Sequence, residues 1–142
     1  MAVRVPLAPA WLRWIAALVV VVVIFYSSVL STPPATVLDT RPSLLPLDKW
    51  RHFLAYAALG YTLAYATTDW PIERRVAALA VIATTVGYGI GLELLQSQVG
   101  RTFSVADAYA NALGGLLVAP FYLARRHLTF VPVGELVASL RE

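Results

Sequence analysis

The chain has 142 residues, of which 59% are hydrophobic and 13% are charged, and its formal net charge at pH 7 is +3. Soluble domains carry about 25% charged residues, so this composition indicates an integral membrane protein and excludes a large soluble domain. The chain has no cysteine, which excludes disulfides and cysteine-bound metals. Because the basic residues form no long patch, no nucleic-acid partner is expected.

Four apolar stretches, separated by charged or turn-forming residues, predict transmembrane helices at approximately 12–30, 50–68, 75–97 and 105–125. The predicted fold is therefore all-α, with one polytopic membrane domain over residues 1–142 built as a bundle of four transmembrane helices. Each uncharged core has only about 16 or 17 residues, or about 25 Å of helix, against a hydrocarbon thickness of about 30 Å. The polar residues that flank these cores must therefore belong to the helix ends.

The first apolar stretch has a second interpretation. Arg4 and Arg13, followed by a valine-rich run and the small-residue segment "SSVLSTPPA", are also typical of a secretory signal peptide. Retention of this stretch gives four spans, whereas cleavage would leave three.

The distribution of basic residues predicts a multi-pass protein of the cell membrane with both termini in the cytoplasm. In that orientation the inner side collects seven arginines: Arg4, Arg13, Arg74, Arg75, Arg125, Arg126 and Arg141. The outer side keeps four basic residues: Arg41, Lys49, Arg51 and Arg101. The start of the second span, the end of the third and the start of the fourth then lie together at the outer face.

Each of these three outer helix ends carries polar residues at helical spacing. They are Asp48, His52 and Tyr56 on the second span, Glu93 and Gln96 on the third, and Asp107 and Asn111 on the fourth. A carboxylate in a transmembrane helix costs about 2.5 to 3.5 kcal/mol at the bilayer centre unless it faces a partner. The expected partners of the two carboxylates Glu93 and Asp107 are Lys49, Arg51, His52 and Arg101. We therefore expect these polar stripes to face one another across a small pocket open to the outside.

Glycines indicate where the helices approach one another. Gly87 and Gly91 have a small-xxx-small spacing on the third span, and Gly114 and Gly115 lie on the fourth. Such spacing lets two helix backbones come close together. We therefore expect the third and fourth spans to pack tightly at these positions.

The segments "DKWRHFLAYAALG" and "ELLQSQVGRTFSVADAYANALGG" together resemble the VanZ-like family of small membrane proteins, named for a teicoplanin-resistance protein. Ten positions match the family pattern in order and spacing: Asp48, Lys49, His52, Tyr56, Glu93, Gln96, Arg101, Asp107, Asn111 and Gly114. The resemblance covers roughly residues 15–125. It implies a cell-envelope protein with a link to glycopeptide resistance, and it fixes the fold more closely than the activity.

Two classes of function fit these residues. The first is a non-catalytic pocket for a lipid-linked or anionic headgroup, formed by Asp48, Lys49, His52, Tyr56, Glu93, Gln96, Arg101, Asp107 and Asn111. Membrane lipids, a lipid-linked cell-wall precursor or a glycopeptide are the expected partners, and oligomer formation stays open. The second is a membrane-embedded enzyme that acts on an envelope lipid by acid/base or metal chemistry at His52, Glu93 and Asp107.

Two further alternatives stay open. The polar residues can be a hydrogen-bonded network that only joins the helices, since one such bond contributes about 0.6 to 2 kcal/mol. A proton-coupled transporter is a smaller possibility, because four spans leave little room for a pathway. The residues match no known nucleophile motif or metal-binding spacing, so neither a cofactor nor a metal is expected.

Overall fold

The computed structural model describes residues 3–31, 47–98 and 104–139. Most of these residues are helical. The helices are α1 (Ala10–Phe25), which continues as a π-helix over Tyr26–Leu30, α2 (Leu47–Ala66), α3 (Arg74–Gln98), α4 (Val105–Leu116), α5 (Ala119–Ala124) and α6 (Val133–Ser139). Two short strands, β1 (Val3–Leu7) and β2 (Leu128–Pro132), complete the order, and a 3-10 turn (Arg125–His127) precedes β2.

The helices begin and end within three residues of the four stretches predicted from hydropathy. Two of them, Ala10–Leu30 and Arg74–Gln98, are long and apolar enough to cross a membrane. α2 has a lower mean hydropathy because its first turns carry charged residues. The fourth stretch is divided between α4 and α5, where Pro120 in the first turn of α5 has no backbone N–H to continue the helical ladder.

The two strands are a feature that an all-α fold does not include. β1 and β2 pair in parallel, with Val3 opposite Leu128 and Leu7 opposite Pro132. Each strand has only five residues, and the two are far apart in the sequence. Because a window of five residues is too short to show a clear period of two, hydropathy alone could not predict the pairing. The strand pair places both ends of the described chain at the same end of the bundle.

α2 lies at the centre of the bundle and contacts α1, α3 and α4. Its closest approach is to α4, where a methyl group at Gly114 would overlap the carbonyl oxygen of Phe53. A methyl group at Gly115 would lie 3.0 Å from Thr85 Cγ2 on α3. The two glycines predicted on α4 therefore do allow close packing, as expected for small residues between membrane helices.

On α3 the prediction of the packing glycines was wrong. A Cβ at Gly87 or Gly91 would meet nothing within 4 Å, whereas a Cβ at Gly89 would lie 2.9 Å from the Tyr56 ring and 3.1 Å from Asn111 Cβ. The buried positions of α3 recur every three or four residues and include Gly89. Gly87 and Gly91 are each two residues from Gly89, about 200° around the helix, so they belong to the opposite face.

One end of the bundle is held by a buried arginine. Arg13 at the start of α1 is only 3% exposed, and its Nη1 donates to the carbonyl oxygens of Tyr65 and Ala66, each at 3.0 Å. The same guanidinium forms a bidentate pair with Asp69, at 3.1 and 2.6 Å. Arg13 therefore satisfies carbonyl groups at the C-terminal end of α2 that have no partner within the helix. We call this end, with Arg13, Asp69 and the two strands, the sheet end.

Candidate functional site

The opposite end of the bundle brings together polar side chains from three helices. Lys49 and His52 lie at the start of α2, Glu93 near the end of α3, and Asp107 and Asn111 at the start of α4. We call these five residues the polar cluster and the end that holds them the site end. They meet because α3 runs antiparallel to α2 and α4, so one helix contributes its last turns and the other two their first.

Asp107 is fixed by its helix and by a cation. It lies in the first turn of α4, where its backbone N–H donates to the Oγ of the N-cap residue Ser104 at 3.2 Å. A carboxylate in this position is also stabilised by the positive end of the helix dipole. Lys49 Nζ lies 2.5 Å from Asp107 Oδ1, so this ion pair joins α2 to α4.

His52 is oriented by Asn111. The ring Nδ1 lies 2.9 Å from Asn111 Oδ1. Because a carbonyl oxygen only accepts, Nδ1 donates in this contact, and Nε2 is the ring nitrogen left for a second partner. Nε2 lies 3.9 Å from Asp107 Oδ1. The histidine therefore directs its second ring nitrogen toward the carboxylate of Asp107.

Glu93 brings a second carboxylate to the same place. It is only 2% exposed, and its Oε2 accepts a long hydrogen bond of 3.4 Å from the backbone N–H of Ser104. One ligand atom from each of His52, Glu93 and Asp107 lies within 4.8 Å of the other two. Two ionised carboxylates at this separation repel each other unless a proton or a cation lies near them. Lys49 supplies part of that positive charge through its contact with Asp107.

An apolar groove adjoins the polar cluster. It has a volume of about 170 Å³, lies between α2 and α4, and is lined by Lys49, Trp50, Phe53, Ala110 and Leu113. Trp50 and Leu113 on its rim are 45% and 59% exposed, so the groove opens on the outer surface of the bundle. Lys49 belongs to both features, because its stem lines the groove and its ammonium group contacts Asp107.

Two of the expected pocket residues have roles in packing. Tyr56 is 1% exposed, and its ring lies 6.4 Å from that of Tyr88 in the core between α2 and α3. Gln96 Nε2 donates to Ser28 O at 2.7 Å, within the π-helix that ends α1. The Gln96 amide therefore joins α3 to α1, where the irregular helix end leaves carbonyl groups that need a donor.

The remaining expected site residues lie in or near the parts of the chain that the structure does not describe. Asp48 belongs to the first turn of α2, but its side chain is outside the described atoms. Arg101 falls within 99–103, between α3 and α4, and is also outside them. Arg51 is exposed on α2, as an interfacial anchor would be.

Ser104 is a site residue that the sequence interpretation missed. Its side chain caps α4, and its backbone N–H reaches Glu93, so it connects the two carboxylate-bearing helices. The segment "SVAD" contained the signal, since a serine followed three residues later by an acidic residue is a common helix start.

The cluster combines a lysine, two carboxyl groups, an imidazole and a buried amide, and such a set can bind polar groups, move a proton or ligate a cation. A lone hydrogen-bonded pair would suffice to join two membrane helices. The chain matches no protein-family model, and comparisons with curated proteins and with solved structures give no significant match.

Proposed function

We propose that this protein is a multi-pass, VanZ-like membrane protein of the cell envelope that binds the headgroup of a membrane lipid in the polar cluster. The hydrocarbon chain of that lipid lies in the adjoining groove. The observation that carries the proposal is the continuity of the two features at Lys49, which lines the groove and contacts Asp107. Amphipathic ligands require such a site, with an apolar channel that ends at a few fixed polar groups.

Four helical segments span the membrane in this arrangement: α1 with its π-helix, α2, α3 and the α4–α5 pair. α2 has 20 residues, about 30 Å of helix, which matches a hydrocarbon core. Large apolar side chains on all four are exposed on the outer surface of the bundle, for example Leu18, Leu54, Leu79 and Leu123. Burial in lipid accounts for this exposure, which would be costly in water.

Aromatic and basic residues support the same arrangement. Trp50 and Tyr109 are exposed at the site end, and Trp11 and Trp70 are exposed at the sheet end. Such residues prefer the two membrane interfaces. Six of the seven arginines expected in the cytoplasm belong to elements at the sheet end: Arg4, Arg13, Arg74, Arg75, Arg125 and Arg126. We therefore assign the sheet end to the cytoplasm and the polar cluster to the outside.

The charges of the cluster restrict the headgroup. Lys49 is offset by Asp107 in their ion pair, and Glu93 brings a second carboxyl group to the same place. A bare anion would therefore have to draw Lys49 away from Asp107. A phosphorylated or zwitterionic headgroup that brings its own positive charge fits better. The resemblance to VanZ-like proteins adds a lipid-linked cell-wall precursor as a candidate and reduced glycopeptide susceptibility as a phenotype.

The groove gives a direct test of lipid binding. Ala110 is 9% exposed in the groove, whereas Ala106 on the same helix is exposed, so Ala110→Leu fills the groove and Ala106→Leu is the matched control. Native mass spectrometry of the protein in mild detergent should show a lipid adduct in wild type and in Ala106→Leu. We expect Ala110→Leu and Lys49→Gln to reduce the adduct at least about tenfold. An undiminished adduct in both variants would refute the proposal.

A membrane-embedded enzyme is the second candidate, and one observation favours it. Asn111 holds His52 so that Nε2 faces the carboxylates, which is the arrangement of a general base with an orienting group. Such an enzyme would act on the same bound lipid. Labelled envelope lipids incubated with the purified protein should then yield a product. Glu93→Gln or His52→Gln would abolish product formation, whereas the exposed substitution Ala106→Leu would not, and absence of product in wild type would exclude this candidate.

A further inference from the structure

We infer that the polar cluster binds one divalent metal ion through His52 Nε2, Glu93 and Asp107. One ligand atom from each residue lies within 4.8 Å of the others. These are not exposed surface acids: Glu93 is 2% exposed, and the side chains of His52 and Asp107 are 23% and 17% exposed. The repulsion between two close carboxylates is relieved by a proton or by a cation, and a metal ion at this place would also use the lone pairs of all three residues.

Asn111 is an independent indication. Metal-binding histidines almost always donate their second ring N–H to a carbonyl or carboxylate oxygen, which fixes the ring and its free nitrogen. Asn111 Oδ1 makes this contact with His52 Nδ1. Asn111 is 2% exposed, and its Nδ2 has no hydrogen-bond partner among the described residues. An unsatisfied buried donor is costly, so the position of Asn111 is explained by the orientation that it gives His52.

The ligand set selects the class of ion. One imidazole and two carboxylates suit Zn²⁺ or Mn²⁺ better than Mg²⁺, which prefers oxygen ligands and retains its waters. Bonds of about 2.1 Å would bring the three donor atoms to about 3.4 Å from one another. The side chains therefore move closer together when the ion binds. Lys49 can stay on Asp107, because a carboxylate has two oxygens.

Three protein ligands leave at least one coordination position open. The groove reaches the cluster at Lys49, so a headgroup phosphate of a lipid in the groove can occupy that position. This step rests on the proposed function. It also removes the charge conflict described above, because the metal ion raises the charge of the cluster by two and lets it accept an anionic headgroup.

Metal binding is tested first, without lipid. The purified full-length protein in detergent is stripped with EDTA and dialysed, then titrated with ZnCl₂, MnCl₂ or MgCl₂ by calorimetry, with bound metal measured by mass spectrometry. We expect one Zn²⁺ or Mn²⁺ per chain and at least tenfold weaker binding of Mg²⁺. With Mn²⁺ bound, pulsed electron paramagnetic resonance should detect one histidine nitrogen.

Variants identify the ligands. His52→Ala and Glu93→Gln should weaken Zn²⁺ binding at least about 100-fold, and Asn111→Ala, which removes no ligand, should weaken it about tenfold. His127→Ala is the matched control, because His127 is exposed at the sheet end and its loss should leave the affinity unchanged. Thermal melting of each variant without metal shows whether it folds. Substoichiometric metal in wild type, or unchanged affinity in the folded Glu93→Gln variant, would overturn the metal site.

The lipid step is measured separately, so that the two proposals can fail independently. Native mass spectrometry with and without EDTA should show a phospholipid adduct that falls at least about tenfold when the metal is removed and returns with Zn²⁺ or Mn²⁺. An adduct that is indifferent to EDTA would leave the lipid proposal standing and refute the metal as its ligand. Metal binding without any adduct would refute the lipid proposal alone.

Discussion

The two ends of the bundle each bury charged groups, but they use them in opposite ways. At the sheet end, the two Nη atoms of Arg13 are matched by one carboxylate and two carbonyl oxygens, while its buried Nε has no hydrogen-bond partner among the described residues. At the site end, His52 Nε2, Glu93 and Asp107 converge, and Lys49 forms an ion pair with Asp107. The first arrangement closes a helix end, and the second leaves lone pairs directed at a common space.

This contrast distinguishes polar groups that stabilise the fold from polar groups that we propose bind a ligand. A charge that only stabilises the fold is matched by partners of similar number and geometry. In a charge cluster that binds a ligand, the ligand supplies part of the opposite charge. Without the ligand, the charged groups of such a cluster are therefore less fully paired. Substitutions at the sheet end should therefore reduce stability, whereas substitutions within the cluster should reduce binding.

The largest effect on stability is expected at Gly114, where α4 lies directly against the backbone of α2. Gly114→Ala would place a methyl group against the Phe53 carbonyl and 3.1 Å from Ala57 N, which forces α2 and α4 apart. We expect a loss of about 3 kcal/mol in the free energy of unfolding, measured by denaturant titration in micelles. Gly91→Ala is the control. It meets nothing within 4 Å and should be neutral or stabilising by up to about 1 kcal/mol. Equal stability of the two variants would show that the helices do not touch there.

The next effect concerns the sheet end. Arg13→Met keeps most of the side-chain volume but removes the guanidinium donor from the carbonyl oxygens of Tyr65 and Ala66. Tyr65 O then retains a long hydrogen bond of 3.4 Å from Thr68 N. We expect about 2 kcal/mol of destabilisation, which is less than the 3 to 5 kcal/mol of a fully buried pair because Asp69 is 47% exposed and can hydrate. Arg126→Met, at an exposed position nearby, should change stability by no more than about 0.5 kcal/mol. If Arg13→Met has an equally small effect, Arg13 does not stabilise the fold, and the proposed difference between the two ends is wrong.

The cluster should show the reverse behaviour. Glu93→Gln removes a buried negative charge while keeping the shape of the side chain, so the free energy of unfolding should stay the same or rise by about 1 kcal/mol. Lipid and metal binding should fall in the same variant. Thermal melting in detergent, measured beside the binding assays, tests both statements. A loss of more than about 2 kcal/mol would indicate that Glu93 has a structural role like that of Arg13.

The sequence predicts the helices well and the contacts of single residues less well. The ends of the apolar stretches place the long helices within three residues. Helical spacing, together with the predicted antiparallel order of the spans, is enough to predict that His52, Glu93 and Asp107 meet, with Lys49 as a partner of a carboxylate. Gln96 has the same spacing but donates to Ser28, because an irregular π-helix there leaves a carbonyl in need of a donor. The spacing of residues in the sequence shows which face of a helix they share. Which neighbouring group a side chain then contacts is decided by the packing of the helices.

The smallest predicted effect is a pH dependence of stability that arises at the sheet end. The hydrogen bond from Arg13 lowers the pKa of Asp69 below its usual value near 3.9, so the pair stabilises the fold above that pH and is lost as the pH falls through the lowered pKa. Asp69 is half exposed, so the contribution is about 1 kcal/mol at most. The difference in melting temperature between wild type and Asp69→Asn should therefore be constant from pH 7 to about pH 5 and should shrink below about pH 4. Because other carboxylates titrate in both proteins, the difference isolates Asp69. A difference that does not decline at all as the pH is lowered below about 4 would show that the Asp69 carboxylate contributes by packing rather than by charge.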